Sequence, residues 1–167
     1  MCSSDLSMSG GIEVDICVIG AGSGGLSVAA GASQLGASVA LVERRLMGGD
    51  CLNFGCVPSK ALLAAGKSAH NIAGAARFGI TSAAPGIDQK AVRQHVRDVI
   101  AAIAPHDSIE RFRALGVNVI LGAARFTGPR EIQVDGQTIR ARRFVVATGS
   151  SPVVPAIPGL DGVPYLT

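Results

Sequence analysis

Apolar runs in this chain are short and are separated by turns that contain glycine. Three of them, Val14–Ile19, Val39–Val42 and Phe144–Val146, are rich in β-branched residues and predict buried strands. A fourth run, Val117–Leu121, predicts a strand that returns to the same sheet. Parallel strands that are buried on both faces have continuous apolar sequences of this kind. The pattern therefore predicts an α/β fold built on a parallel sheet.

Segments with helical spacing separate these runs. One helix is predicted from about Gly24 to Leu35, and a helix rich in small residues from Ala61 to about Ala76. A third helix should begin after Asp88, a candidate N-cap, and break at Pro105, and a shorter one should span Asp107 to Leu115. The apolar positions of the third helix, which lie on one face, are Val92, Val96, Val99 and Ile103.

A turn signal at Asp135-Gly136-Gln137 predicts a β-hairpin, which would form a meander beside the parallel sheet. The flanking segments are Ile132–Val134 and Thr138–Arg140. Residues 1–11 are polar and rich in glycine and serine, and they predict a disordered tail. Four prolines within residues 152–167 predict a stiff connector. One folded domain is therefore expected at residues 12–151.

Composition narrows the function classes. The 167 residues can bury one sizeable core, and the formal charge of +3 is too small to indicate nucleic-acid binding. The cluster Arg140, Arg142 and Arg143 is interpreted as a solvated strand edge, and the three histidines as surface residues. No apolar run is long enough to cross a bilayer and no signal layout is present, so no membrane partner is expected and the cytoplasm is the expected compartment. No C-x-x-C pair occurs, and no metal site is predicted.

The sequence from the first strand to the second has the features of a dinucleotide-binding unit. Gly20 permits a tight turn, Gly22 lets the backbone approach a pyrophosphate, and Gly25 lets the helix pack closely on the strand. Glu43, at the end of the second strand, can accept hydrogen bonds from a ribose. The pattern does not separate NAD from FAD, and a glycine-rich turn without a ligand is the alternative. The predicted contacts are Gly20, Gly22, Ser23, Gly24, Gly25 and Glu43.

Cys51 and Cys56 stand five positions apart, just before Pro58, a residue that can open a helix. A bridge between them would need Cys51 in looser backbone before the first regular turn, because a step of five on a helix turns the side chains apart. The start of a helix and the charge of Lys60 would both lower thiol pKa. The alternative is a pair of ordinary reduced cysteines that pack as small apolar residues.

The stretch Gly48-Gly49-Asp50-Cys51-Leu52-Asn53-Phe54-Gly55-Cys56-Val57-Pro58-Ser59-Lys60 strongly resembles the redox-disulfide signature of the pyridine nucleotide–disulfide oxidoreductases. These flavoenzymes include dihydrolipoamide dehydrogenase, mercuric reductase and glutathione reductase. The Pro-Ser-Lys ending is more similar to the first two than to the glutathione enzymes. Asp50 departs from the Thr or Val that is common at its position.

This resemblance implies a Rossmann-like three-layer FAD-binding domain, in which the first glycine motif holds the adenosine half of FAD. It makes Cys56 the thiol next to the flavin and Cys51 the thiol that exchanges with substrate. It places Lys60 near the reactive ring, and it matches Ala147-Thr148-Gly149 to the motif that closes the first flavin segment. The further cofactor contacts that it implies are Gly49, Cys51, Lys60, Ala124, Ala147, Thr148 and Gly149.

The implied activity is electron transfer between NAD(P)H, FAD and a Cys51–Cys56 disulfide. The substrate would be a small or protein-bound disulfide or dithiol, or a thiol-bound mercuric ion, and the full-length enzyme would be a homodimer. The chain is expected to be a fragment, with the connector at 152–167 leading to a missing NAD(P)-binding domain. Two other functions are open: a dinucleotide-binding oxidoreductase domain with inert cysteines, and a thiol redox or metal-binding module without flavin.

Overall fold

The computed structural model of the protein describes residues 11–165. Its strands, in chain order, are β1 (Ile12–Ile19), β2 (Val39–Glu43), β3 (Asn118–Leu121), β4 (Arg125–Gly128), β5 (Glu131–Val134) and β6 (Gln137–Val146). They form one sheet in the order β3-β2-β1-β6-β5-β4. Pairs among the first four positions of that order are parallel, and β5 pairs antiparallel with both β6 and β4. The parallel sheet and the hairpin that the sequence predicts are therefore both present.

The α-helices are α1 (Ser23–Gln34), α2 (Gly49–Asn53), α3 (Cys56–Ala73), α4 (Gln89–Ile103) and α5 (Ile109–Ala114). Single 3-10 turns lie at Ala75–Phe78, Ala104–Asp107 and Leu160–Gly162. Helix α3 packs along α4, and α2 contacts both. None of the helices in residues 11–165 is long and apolar enough to span a bilayer.

The third predicted helix has the expected beginning and end. The Asp88 carboxylate accepts the N–H groups of Lys90 (2.8 Å) and Ala91 (3.1 Å), and α4 ends at Ile103, just before the 3-10 turn that contains Pro105. The next helix was predicted from Asp107, but it begins at Ile109 because the Ser108 hydroxyl caps it by accepting the Arg111 N–H.

Two apolar clusters cover opposite faces of the sheet, since side chains alternate along each strand. The first contains Val18 and Leu41, covered by Leu26 of α1 and Phe112 of α5. The second contains Cys17, Ala40 and Val42, covered by residues of the meander. The meander residues are Ile132, Val134, Ile139 and Ala141. Helices α1 and α5 pack on one face of the parallel strands and meander residues pack on the other, in agreement with the expected Rossmann-like fold.

The hairpin turn consists of Asp135 and Gly136, with φ of 46° and 85°. Two successive residues with positive φ are typical of a type I′ turn, which matches the twist of the flanking strands. The prediction of two separate strand segments after this turn was wrong, because β6 continues without a break from Gln137 to Val146. Exposed arginines interrupt its apolar pattern, whereas its backbone pairs with β1 from Ile139 to Val146.

The predicted limits of the domain are partly outside the described region. Of the tail predicted at residues 1–11, only Gly11 is described, and β1 begins at Ile12. In the connector predicted at 152–167, the described residues contain the 3-10 turn at Leu160–Gly162. The division into a domain at 12–151 and a connector stays a prediction.

One polar cluster joins three segments at the amino end of the sheet. Asp15 Oδ2 accepts the Ser38 hydroxyl (2.7 Å) and the Ser38 N–H (3.0 Å), and Asp15 Oδ1 accepts an N–H of Arg142 (3.0 Å). These hydrogen bonds lower the pKa of Asp15 to about 2. They hold the start of β1 against the loop before β2 and against β6.

Replacing Asp15 with Asn should lower the free energy of unfolding at neutral pH. Because the folded state favours the ionised form of Asp15, the contribution of the carboxylate to the free energy of unfolding is complete above the unfolded pKa of about 3.9. It is lost as the pH falls through the folded value of about 2. Denaturant unfolding of wild type and Asp15→Asn should therefore differ at pH 7, and the difference should shrink below about pH 4 and nearly vanish at about pH 2. An equal difference at every pH would contradict this role, and Asp161→Asn, at an exposed site, is the matched control.

Candidate functional site

The candidate site lies where the carboxyl ends of β1, β2, β3 and β6 meet. The chain moves from β1 to β2 and β3 on one side, and β6 lies on the other side of β1. This reversal of strand order opens a crevice at the ends of β1 and β6, which is where ligands bind in sheets of this kind. The Ala147 N–H donates to the Ile19 carbonyl (2.8 Å), and a Cβ on Gly20 would overlap the Ala147 carbonyl. Gly20 and Ala147 are therefore in close backbone contact at the carboxyl ends of β1 and β6.

The glycine loop, residues 20–25, leads from β1 into α1. Gly22 is the N-cap residue of α1, and among residues 11–165 no side chain caps this helix. The first-turn N–H groups of Ser23, Gly24 and Gly25 have no acceptor in the preceding turn of the helix. Together with the helix dipole they fit a pyrophosphate. A Cβ added at Gly24 would have no atom within 4 Å, so the space beside this residue at the N-terminus of α1 is open.

Glu43 is buried at the end of β2 and fixes the glycine loop. Its Oε2 accepts the Ala21 N–H (2.7 Å), and its Oε1 accepts the Arg45 N–H (2.7 Å). Each carboxylate oxygen has a second lone pair, so Glu43 can still accept hydroxyl groups of a ribose. The Glu43 carbonyl accepts the Gly122 N–H (2.8 Å), which brings the segment containing Ala124 to the same edge. The sequence predicted Glu43 as a hydrogen-bond acceptor, but it did not predict the bonds from the N–H groups of Ala21 and Arg45.

The segment before Cys51 is fastened to the glycine loop by direct backbone contact. The Gly48 N–H donates to the Ala21 carbonyl (2.9 Å). Gly49 has φ of 55°, and a Cβ at this residue would lie 2.7 Å from the Gly22 Cα. Only glycine allows this close approach without strain. The predicted contact at Gly49 is thus next to the loop that fits the pyrophosphate.

The Asn53 side chain also fastens this segment, and the sequence analysis did not predict this role. Its Nδ2 donates to the carbonyls of Met47 (3.0 Å) and Gly49 (2.8 Å). These bonds join the end of α2 to the turn that precedes it. Its presence in the quoted motif was the only sequence signal, because the two acceptors are backbone atoms that no side-chain pattern reveals.

Cys51 and Cys56 lie on either side of a break between two helices. Cys51 is within the short helix α2, which corrects the expectation that it lies in irregular backbone, and Cys56 is the first residue of α3. Gly55, with φ of −107° and ψ of −100°, breaks the helical path between them and reorients the two side chains. Both thiols are free, Cys51 half-buried and Cys56 exposed. We call these two residues the thiol pair.

The two thiols interact. A hydrogen bond with the Cys56 side chain is the main cause that raises the pKa of Cys51, followed by burial and by the charge of Cys56. The positive charge of Lys60 opposes this shift. The sequence predicted a lowered pKa from the helix start and Lys60, and the proximity of the second thiol reverses the direction for Cys51. Two interacting thiols can be oxidised to a disulfide with loss of two electrons and two protons.

The predicted site residues that remain are Thr148, Gly149 and Lys60. Thr148 and Gly149 follow β6 at the crevice, where the Thr148 Cα is 3.1 Å from an added Cβ on Gly20. Lys60 is exposed on α3, and all three histidines are exposed outside the site. Arg140 and Arg142 are exposed and pair with Glu131 (3.0 Å) and Asp15 (3.0 Å). The expected solvent exposure of these arginines is present, but their interpretation as a strand edge was wrong, because β6 is an inner strand that pairs with both β1 and β5 at Arg140.

Comparisons with known proteins agree with this geometry. The model of the pyridine nucleotide-disulphide oxidoreductase family matches residues 14–167. A mercuric reductase of Bacillus cereus is 36% identical over 158 residues, which cover 95% of this chain and 25% of that protein. A dihydrolipoyl dehydrogenase of Thermus scotoductus is 42% identical over 151 residues, covering 90% of this chain and 31% of that protein.

A solved structure has the same fold. The Cu(II) complex of the HOCl-induced flavoprotein disulfide reductase RclA from Escherichia coli matches with a TM-score of 0.70 and 25% identity. The match covers 90% of this chain and 31% of that one. The chain thus spans about a quarter to a third of the length of these relatives. The glycine loop, the acidic end of β2 and the thiol pair all lie within the matched residues, and the chain belongs to the pyridine nucleotide-disulphide oxidoreductase family.

Proposed function

We propose that this chain carries the FAD site and the redox-active thiol pair of a flavoprotein disulfide oxidoreductase. The whole protein would transfer electrons between NAD(P)H and a disulfide or dithiol, or a thiol-bound mercuric ion. One observation carries the proposal: the contact between Gly49 and Gly22 holds the segment with the thiol pair against the glycine loop. A cofactor whose pyrophosphate lies on that loop would therefore extend beside the two sulfurs.

The residues of the crevice fit FAD. The first-turn N–H groups of α1 would bind the pyrophosphate, and the Glu43 carboxylate would accept ribose hydroxyls. Gly20 and Ala147 would form the floor under the cofactor, and Ala124, Thr148 and Gly149 would line its two ends. Bound FAD would supply two-electron chemistry between the nicotinamide and the thiols.

The thiol pair would perform the exchange with substrate. Cys51 would attack the substrate disulfide as a thiolate, forming a mixed disulfide while a substrate thiolate leaves. Cys56 would then close the Cys51–Cys56 disulfide and release the second thiolate. Lys60 would supply a positive charge near the reacting groups, as its effect on the pKa of Cys51 supports. The reverse sequence would oxidise a dithiol substrate.

Several parts of this function concern the whole protein. The nicotinamide site would lie outside residues 12–151, beyond the connector at 152–167, and the full-length protein would be a homodimer. Relatives are named mercuric reductase and dihydrolipoyl dehydrogenase, which supports a soft metal ion or a lipoyl dithiol as substrate classes.

In the full-length protein, Cys56→Ser should retain flavin and lose disulfide turnover, because one thiol cannot close the disulfide. Thiol titration should find two additional thiols after mild reduction of the wild type and none in the variant. Cys17→Ala is the matched control, since Cys17 is fully buried and burial raises its pKa to about 11. Unchanged turnover in Cys56→Ser would refute the assignment, and two thiols that never pair would favour inert cysteines. Protein that does not take up FAD would favour a flavin-free thiol module.

Gly49→Ala should weaken flavin binding, because the new Cβ would force apart two backbones now in contact. We expect a loss of about 1–3 kcal/mol in unfolding free energy and a lower ratio of flavin absorbance to protein absorbance. Gly31→Ala is the control, since an added Cβ there meets no atom within 4 Å. Equal flavin content in the two variants would show that the contact is not needed for the site.

A further inference from the structure

The carboxylate of Asp50 is a charge beside the thiol pair that flavin binding does not explain. Asp50 lies in the first turn of α2, next to Cys51. Its carbonyl accepts the N–H groups of Phe54 (2.9 Å) and Gly55 (2.7 Å), so the chain bends around it between the two helices. A Cβ on Gly55 would lie 2.7 Å from Asp50 Oδ2. The carboxylate therefore lies against the residue that precedes Cys56.

This charge is free to act on molecules that approach from solvent. Asp50 is exposed, and it takes no part in the ion pairs formed within residues 11–165. Lys60 is the positive charge that acts on Cys51. An exposed carboxylate next to one cysteine, lying against the neighbour of the other, can act on a charged substrate that approaches the thiol pair.

We propose that Asp50 determines the charge specificity of the thiol pair, disfavouring anionic disulfides relative to neutral or cationic ones. This inference rests on the proposed exchange at Cys51 and Cys56. A protein thiolate attacks one substrate sulfur, a new S–S bond forms, and the substrate S–S bond breaks to release a thiolate. The second protein thiol loses its proton to solvent, attacks the mixed disulfide and releases the other thiolate, so the substrate gains two electrons and the pair becomes a disulfide.

The physical reason is repulsion between like charges during this exchange. Negative charge is shared among three sulfurs at the point of attack, and the Asp50 carboxylate lies beside the residue that precedes one of them. A substrate that brings carboxylates of its own adds further repulsion, whereas ammonium groups are attracted. Because the groups are exposed, the effect is modest and weakens with added salt.

The test uses full-length protein that has been reduced with dithiothreitol and desalted. Single-turnover rates are measured with 5,5′-dithiobis(2-nitrobenzoate), which carries two carboxylates, with neutral bis(2-hydroxyethyl) disulfide, and with cystamine, which carries two ammonium groups. Asp50→Asn should raise the ratio of the anionic to the cationic rate by about tenfold at low salt. The change should nearly vanish at 1 M salt, where the Debye length is about 3 Å.

Two variants separate charge from structure. Asp50→Glu should keep the wild-type ratio, and so should Glu13→Gln, an exposed acid at the opposite end of β1. An equal change for all three probes in Asp50→Asn would overturn the proposal, because a general effect on thiol reactivity or folding does not depend on probe charge. Mass spectrometry of the wild-type product tests the proposed function separately: without a Cys51–Cys56 disulfide the exchange fails, whatever the rate ratio.

Discussion

The site depends on one close contact between two stretches of backbone. Gly49 and Gly22 approach each other so closely that a single Cβ on Gly49 would come within 2.7 Å of the Gly22 Cα. The Gly48 N–H bond to the Ala21 carbonyl fixes the same approach from one residue earlier. The N-terminus of α1 and the helix that carries Cys51 therefore form one unit, although 27 positions separate Gly22 from Gly49. The glycine loop and the segment with the thiol pair are adjacent because side chains are absent between Gly22 and Gly49.

A buried carboxylate stabilises the anion-binding side of this unit. Burial of the Glu43 carboxylate without hydrogen-bond partners would be costly, and two backbone N–H groups at 2.7 Å supply these partners. One of these belongs to Ala21, the residue whose carbonyl holds Gly48. Glu43 therefore orients the glycine loop by accepting the Ala21 N–H. It also supports the segment with the thiol pair, because the carbonyl of the same Ala21 accepts the Gly48 N–H. Its ability to accept a ribose is an additional use of an acid that the fold already requires.

The sequence predicted the parts of the fold whose signals are local. The strand ending before Gly20, the cap at Asp88 and the turn at Asp135-Gly136 each depend on a few neighbouring residues. It did not predict α2, because five residues give too little periodicity to detect a helix. The continuity of β6 and the bonds of Asn53 were also missed, since their partners are distant strands or backbone atoms. The direction of the Cys51 pKa depends on a distance between two thiols, which spacing in sequence does not give.

The segment that carries the thiol pair is held in position more by the contact between Gly49 and Gly22 than by burial of apolar side chains. Leu52 is the buried residue of α2, Ala61 that of α3, and α4 has none among its described side chains. The helices that cover the sheet, by contrast, bury Leu26 and Phe112 in the main cluster. Apolar burial thus anchors the part with the glycine loop strongly and the part with the thiol pair weakly. The position of the thiol pair must then be set by backbone groups at Ala21 and Gly22 and by the side-chain amide of Asn53, rather than by apolar packing.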